Sequence, residues 1–242
     1  MTRIYHTSDM HDSRGFAAPL EALRAEAPGL LFDCGDSLRG SQTIYHRNEP
    51  IVEEIDRARY DVQAMGNREF HYLFGVVRAR AKMMNHQLLC SNLIDLKGRA
   101  LPFKPVAVLD LPIRMHVLAL LVRQYPVGSP WERIFGWRFL DPIDVVREYA
   151  DTIPKGETLI VLSHLGLKAD RRLAAAAERI DLILGGHSHD TLFEPEYVGA
   201  VPIVHAGPYA RYVSRTELSF DPASGRSRID AFALLPLLGS IS

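Results

Sequence analysis

Seven side chains with metal-ligand chemistry sit in short polar turns spread along the chain: Asp9, His11, Asp36, Asn67, His164, His187 and His189. The densest turn is Gly185-Gly186-His187-Ser188-His189, two imidazoles one residue apart, directly after the run Asp181-Leu182-Ile183-Leu184. The glycines let the chain bend sharply there, and the imidazoles offer nitrogen ligands to a metal. Two histidines in a loop are, by themselves, more often solvated surface groups. Recurrence raises this pair above that reading, because each of the other donors also closes a strand-like apolar run. The set holds no thiolate, and its carboxylates, imidazoles and amide suit Mn, Fe or Zn better than Ca or Cu(I). Seven donors are more than one tetrahedral ion takes, so two ions sharing a bridging carboxylate fit them better.

The elements that must position these turns read as alternating strands and helices. Residues 3–7 form a first strand ending at Ser8-Asp9-Met10-His11-Asp12, and residues 16–27 have helical periodicity through Phe16, Leu20 and Leu23. A strand over 29–32 runs into Asp33-Cys34-Gly35-Asp36-Ser37, and a helix over about 49–59 opens at Glu49-Pro50. A strand over 61–65 delivers Gly66-Asn67-Arg68-Glu69, and a long helical stretch leads to Leu88-Leu89-Cys90 and Ser91-Asn92. This β-α-β order implies an α/β fold with a largely parallel sheet. Parallel strands deliver their C-terminal turns to one edge, which is where ligands bind. In the middle, 103–109 and 113–122 alternate like a hairpin around Leu111-Pro112, and 123–141 reads as a long irregular loop carrying Trp131, Phe135, Trp137 and Phe139. Then Pro142 opens a helix to about 152, a strand over 157–162 ends at Ser163-His164-Leu165-Gly166, and Asp170 is expected to cap an Ala-rich helix. The tail is β in character at 201–206, 211–220 and 227–235, with a turn at 221–225.

At 242 residues, 47% hydrophobic and 24% charged, the chain is expected to form one soluble domain over 1–242. The formal net charge of −1 argues against general affinity for nucleic acid or an anionic membrane. No apolar run approaches the length needed to cross a bilayer. The N-terminus enters a strand pattern at once, so no secretory leader is expected, and the two cysteines, Cys34 and Cys90, imply no disulfide framework. A cytoplasmic location is the expectation; the oligomeric state is left open.

The ordered series Asp9-Met10-His11, Gly35-Asp36, Gly66-Asn67-Arg68-Glu69, His164 and Gly186-His187-Ser188-His189 resembles the calcineurin-like metallophosphoesterases. Within them it looks most like the catalytic domain of 5′-nucleotidase and UDP-sugar hydrolase-type enzymes. His6-Thr7, Ser91-Asn92-Leu93, Phe139-Leu140-Asp141-Pro142 and Pro202–Gly207 extend the likeness over about residues 3–236. The resemblance implies a four-layer α/β/β/α sandwich. It also implies one divalent ion on Asp9, His11, Asp36 and His189 and a second on Asp36, Asn67, His164 and His187, with Asp36 bridging. A water activated by the two ions would attack a phosphate ester. The implied partner is a small-molecule phosphate ester, with nucleotides the leading class, and Asn92 and Arg68 would line the substrate cleft.

Two departures from the family pattern bear on catalysis. Arg68 stands where the family has a histidine, and His71 stands where the subgroup has that histidine's acidic partner. Arginine binds an anion but cannot donate a proton usefully near neutral pH. His71 is the first candidate for a replacement acid, with His46, His116 and His205 behind it. Two rival readings follow: a phosphodiesterase favouring good leaving groups, or a metal- or phosphoanion-binding protein that has lost turnover. By the resemblance, the chain is expected to end where the subgroup's nucleoside-binding domain would begin, so nucleotide specificity is not carried over. The aromatic loop 125–139 is expected to border the cleft instead, with core packing or a subunit contact as the other reading of Trp131 and Trp137. Asp33 would either support a metal ligand or cap its turn, and Cys34 is expected to be a small buried side chain.

Overall fold

Alternation along the central strands builds the fold. In the computed structural model, which describes residues 1–238, strand β1 (Thr2–Thr7) points Ile4 into one apolar cluster and Tyr5 into another. Strand β2 (Leu30–Asp33) does the same with Phe32 and Leu31. Side chains two apart share a face, so a strand that is apolar at every position must be covered on both faces.

Two six-stranded sheets result. The first has the order β14-β13-β1-β2-β3-β4, with β3 Val62–Ala64, β4 Gln87–Leu89, β13 Tyr212–Asp221 and β14 Arg226–Pro236. The second runs β11-β12-β10-β9-β7-β6, with β6 Val106–Leu109, β7 Met115–Leu121, β9 Thr158–His164, β10 Leu182–Gly185, β11 Glu196–Val198 and β12 Val201–His205. Strands β1 to β4 are parallel to one another, as are β7, β9, β10 and β12. Antiparallel strands occupy the margins.

Between the sheets lie Ile4, Phe32, Val62 and Leu89 from one side and Val117, Ile160, Leu162 and Leu184 from the other. Helices α1 (Ala17–Glu26), α2 (Ile51–Ala58) and α3 (Phe74–Ala81) cover the outer face of the first sheet through Leu20, Ile55 and Val77. Beyond them in the chain, α4 (Pro130–Phe135) is a short helix of the connecting segment. Helices α5 (Pro142–Ala150) and α6 (Leu167–Ala176) cover the second sheet through Val146 and Leu173. The result is the expected α/β/β/α stack, with an apolar cluster at each of the three junctions between its layers.

Residues 103–122 form the expected hairpin, with Val106 opposite Leu118. Two expectations need correcting. The segment 123–141 is not an irregular loop: it holds α4 and then β8 (Trp137–Phe139), which pairs with β5 (Leu93–Asp95). Pro130 at the first turn and the left-handed Gly136 at φ 85 set the helix's limits. Asp170 does not cap α6. Gly166 stands at the cap, and Asp170 is buried in the first turn, where it accepts from His205 Nε2 at 2.8 Å.

Candidate metal centre

All seven donors lie at the C-terminal ends of parallel strands. Asp9 and His11 follow β1, Asp36 follows β2, Asn67 follows β3, His164 ends β9, and His187 and His189 follow β10. The turns after β1 and β2 are zipped together: Asp9 N–H donates to Gly35 O at 2.9 Å and His11 N–H to Asp36 O at 3.0 Å. The second sheet joins through His187 N–H, which donates to the Asp9 carboxylate at 3.0 Å. Gly35 and Gly66 make the close approach feasible, since a Cβ on Gly35 would stand 2.5 Å from Gly66 N.

Glu69 fixes the geometry from beneath. It is fully buried, and its two oxygens accept from Asp36 N at 2.8 Å, Gly66 N at 2.9 Å, Ser37 N at 2.9 Å and Leu38 N at 3.3 Å. One carboxylate thereby ties the turn after β2 to the turn after β3. Glu69→Gln is nearly isosteric but turns an N–H₂ toward these donors. It is expected to cost about 3 kcal/mol, from buried donors left unpaired, read as a shifted urea midpoint by circular dichroism. Asp33 adds a second brace by accepting from Gly35 N, Ser37 Oγ, Gln63 Nε2 and Thr7 Oγ1, at 2.8 to 3.0 Å. Burial, helped by the Glu69 charge, pushes Asp33 up to about 7. Cys34 is buried and directs its thiol at Leu184 O, 3.0 Å away.

Two triads of donor atoms converge, Asp9–His11–His189 and Asp9–Asp36–His164. His11 Nε2 lies 2.8 Å from His189 Nε2, and His189 Nε2 lies 3.7 Å from Asp9 Oδ1. On the other side, His164 Nε2 is 3.3 Å from Asp36 Oδ1 and 3.3 Å from His187 Nδ1. Asn67 Nδ2 reaches His187 Nδ1 at 3.2 Å, while its Oδ1 accepts from Gln124 Nε2 at 2.8 Å. The shared member of the triads is Asp9. Asp36 nevertheless acts electrostatically on His11, His164 and His187, that is, on both sides of the cluster.

The donor set fits cations. Burial holds His11 and His187 down at about 4, so both rings are neutral and present lone pairs to other ring nitrogens. Two buried carboxylates, Asp9 and Asp36, stand close enough to repel, and burial with that repulsion raises Asp9. Burial opposes charge on His164, yet the Asp36 charge and hydrogen bond, with Asp9, outweigh it and raise the ring to about 9. His164 Nδ1–H donates to Cys34 O at 2.7 Å, which orients the ring so that Nε2 faces Asp36. Neutral ring nitrogens and neighbouring carboxylates converging on one edge are satisfied by divalent ions.

Other expected site residues are placed differently. Arg68 belongs to the rim: its N–H donates to Asp36 Oδ1 at 2.8 Å, its Nη1 to Leu38 O and Arg39 O at 3.2 Å, and its charge acts on His11. His71 is not a free acid. Its Nδ1 accepts from Leu73 N–H at 3.0 Å, the ring bonds the Thr43 backbone, and burial lowers its pKa. Asn92 is not in the cleft but wholly buried. Its amide brackets Leu121, accepting from the N–H at 2.9 Å and donating to the carbonyl at 2.8 Å. Its position after β4 put it near the edge, but the neighbouring β7 claims the amide. His116 bonds Tyr149 and Glu157, and His205 bonds Asp170, so neither faces the donors. Two neighbours had no signal in the sequence: Gln124, on Asn67, and Tyr209, whose ring lies 5.3 Å from that of His11 and 5.7 Å from that of His189.

Residues 2–191 match the calcineurin-like phosphoesterases. The chain belongs to that family. A Bacillus subtilis relative, the uncharacterized metallophosphoesterase YunD, is 27% identical over 90% of this chain and 50% of its own length. Human 5′-nucleotidase is 25% identical over 86% of this chain and 41% of its own. The 5′-nucleotidase precursor of Thermus thermophilus superposes with a TM-score of 0.78 at 25% identity, covering 98% of this chain and 54% of that one. The phosphoesterase chain thus spans about half the length, or less, of the curated relatives it matches.

Proposed function

We propose that this phosphoesterase hydrolyses small phosphate esters at a dinuclear centre, with Asp9, His11, Asp36 and His189 around one ion and Asp36, Asn67, His164 and His187 around the other. The observation that carries the reading is the meeting of two donor triads from two different sheets, with ring nitrogens 2.8 and 3.3 Å apart. Mn, Fe or Zn suits these donors, and such a pair supplies an activated water and neutralises the phosphoryl oxygens. For Asn67 to ligate, its amide turns its oxygen from Gln124 toward His187. Nucleotides are the leading substrate class because the human and Thermus relatives are 5′-nucleotidases by name. Among the described residues no helix is long and apolar enough to cross a membrane.

The chain's own part is to bind and orient. Asp36 accepts the Arg68 backbone N–H, and the carbonyls of Leu38 and Arg39 hold the guanidinium at the rim, where its remaining donors are available to an anion. His71 is committed to backbone, and Arg68 stays charged, so neither of these two serves as the acid for a leaving oxygen. That favours a second reading, hydrolysis confined to esters with acidic leaving groups, including diesters. Loading the protein with Mn, Fe or Zn, counting ions per chain, and assaying aryl phosphate mono- and diesters separates the readings. Two ions with release of the aryl alcohol support hydrolysis. Two ions with no turnover of any ester would leave a binding protein.

A further inference from the structure

The segment between β7 and β8 does more than connect sheets. Thr43, Tyr72, Gln124, Tyr125, Trp131 and Phe135 line a cleft of about 390 Å³. Its walls are aromatic faces in near-parallel array. Tyr72 and Phe135 have ring centroids 4.9 Å apart with planes inclined at 23°, and Trp131 lies over Phe135 at 5.7 Å and 14°. The walls are fixed from behind by buried Trp137, whose Nε1–H donates to Tyr72 O at 3.0 Å and whose carbonyl accepts from Tyr125 OH at 2.8 Å. Trp131, by contrast, is 50% exposed, with one ring face covered by Phe135.

One wall of the cleft touches the metal edge. Gln124 lines it and donates to Asn67 Oδ1 at 2.8 Å, and Asn67 in turn touches His187. The cleft is therefore one side chain removed from a donor of the second ion. No charged side chain lies among its lining residues, so it offers no ion pair to a charged group. Stacked aromatic faces bind planar rings of any pattern of edge substituents.

We propose that this cleft is the leaving-group subsite, and that it takes a planar aromatic or heteroaromatic ring, stacked on the face of Trp131 that Phe135 leaves open, while the phosphoryl group lies on the metal centre. The inference rests on the phosphoester reading for its second half, but the ring site itself does not. Each part has its own readout.

The first readout is binding without turnover. Adenosine, which has the ring but no phosphate, is titrated into the metal-free full chain while tryptophan fluorescence is followed, with ribose as the ring-less control. Saturable quenching by adenosine and none by ribose is expected, and calorimetry should show adenosine binding weakened about tenfold or more in Trp131→Ala, the loss typical of one stacked base. Trp131→Phe, which keeps a stacking face, should restore most of it. The second readout is the ratio of kcat/KM for AMP over ribose 5-phosphate. It should fall about tenfold in Trp131→Ala and stay unchanged in Ile134→Ala, an exposed change on the same helix outside the cleft. Adenosine binding without hydrolysis of any ester would sustain the ring site and sink the phosphoester reading. Hydrolysis with an unaltered ratio in Trp131→Ala, or adenosine bound equally by wild type and Trp131→Ala, overturns the subsite.

Discussion

Asp36→Asn should release both ions and lower ester hydrolysis by more than the roughly 10- to 100-fold that follows loss of an outer partner of a metal ligand. The side chain keeps its shape but loses the charge that acts on His11, His164 and His187 alike. Against burial, the His164 charge and hydrogen bond, with the Arg68 N–H, hold Asp36 well below the usual carboxylate range. It is therefore available as an anion between the two sides of the cluster. His189→Ala should be milder and leave about one ion per chain, because His189 approaches only the Asp9–His11 side. Ion counts after equilibrium dialysis, with Tm as a check on folding, distinguish the variants. Geometry also names the competing outcome. Asp9 is the residue common to both triads, so if Asp36→Asn keeps one ion and Asp9→Asn keeps none, the bridge is Asp9.

The second large effect is a steep dependence of rate on the leaving group. General acid help is worth about 10² to 10⁴ in rate, and neither Arg68 nor the backbone-bound His71 is placed to give it. In the proposed mechanism Arg68 would instead offer donors to developing negative charge, stabilising the transition state without moving a proton. Across a series of aryl phosphates, log kcat/KM should fall as the leaving-group pKa rises. Arg68→His should flatten that slope, by supplying a titratable donor at the rim. Arg68→Ala should raise KM while the ion count stays at two. A flat slope in the wild type would show that another acid reaches the leaving oxygen, and the idea would fail.

The layers and the ligand turns were legible because both obey short-range rules. Period-two runs such as Leu159–Leu162 feed alternate clusters, Ile160 and Leu162 inward, Leu159 and Val161 outward, so the strand and its two coverings follow from four residues. The donors were legible because each closes such a run. What failed depended on neighbours distant in sequence. Asn92 follows a strand as the seven clustered residues do, but only the position of β7 reveals that its amide is used on Leu121. His71 could not be removed as an acid without knowing that Leu73 and Thr43 hold it. The segment 123–141 misled because its aromatic residues serve the core and a cleft wall at once. Trp137 is buried, whereas Trp131, six residues earlier, is half exposed.

Five of the seven donors, Asp9, His11, Asp36, His187 and His189, have left-handed backbones, with φ between 49° and 76°. Such a conformation disfavours a residue with a Cβ by something of the order of 1 kcal/mol apiece, and glycine would relieve it. The working edge is thus the least comfortable part of a scaffold whose layers are otherwise well matched. At His11, His187 and His189, whose side chains brace no backbone, a chain released from its chemical task would relieve this strain by drifting to glycine. Aspartate and histidine at all five fit a trade in which thermodynamic ease yields to the proposed cation binding.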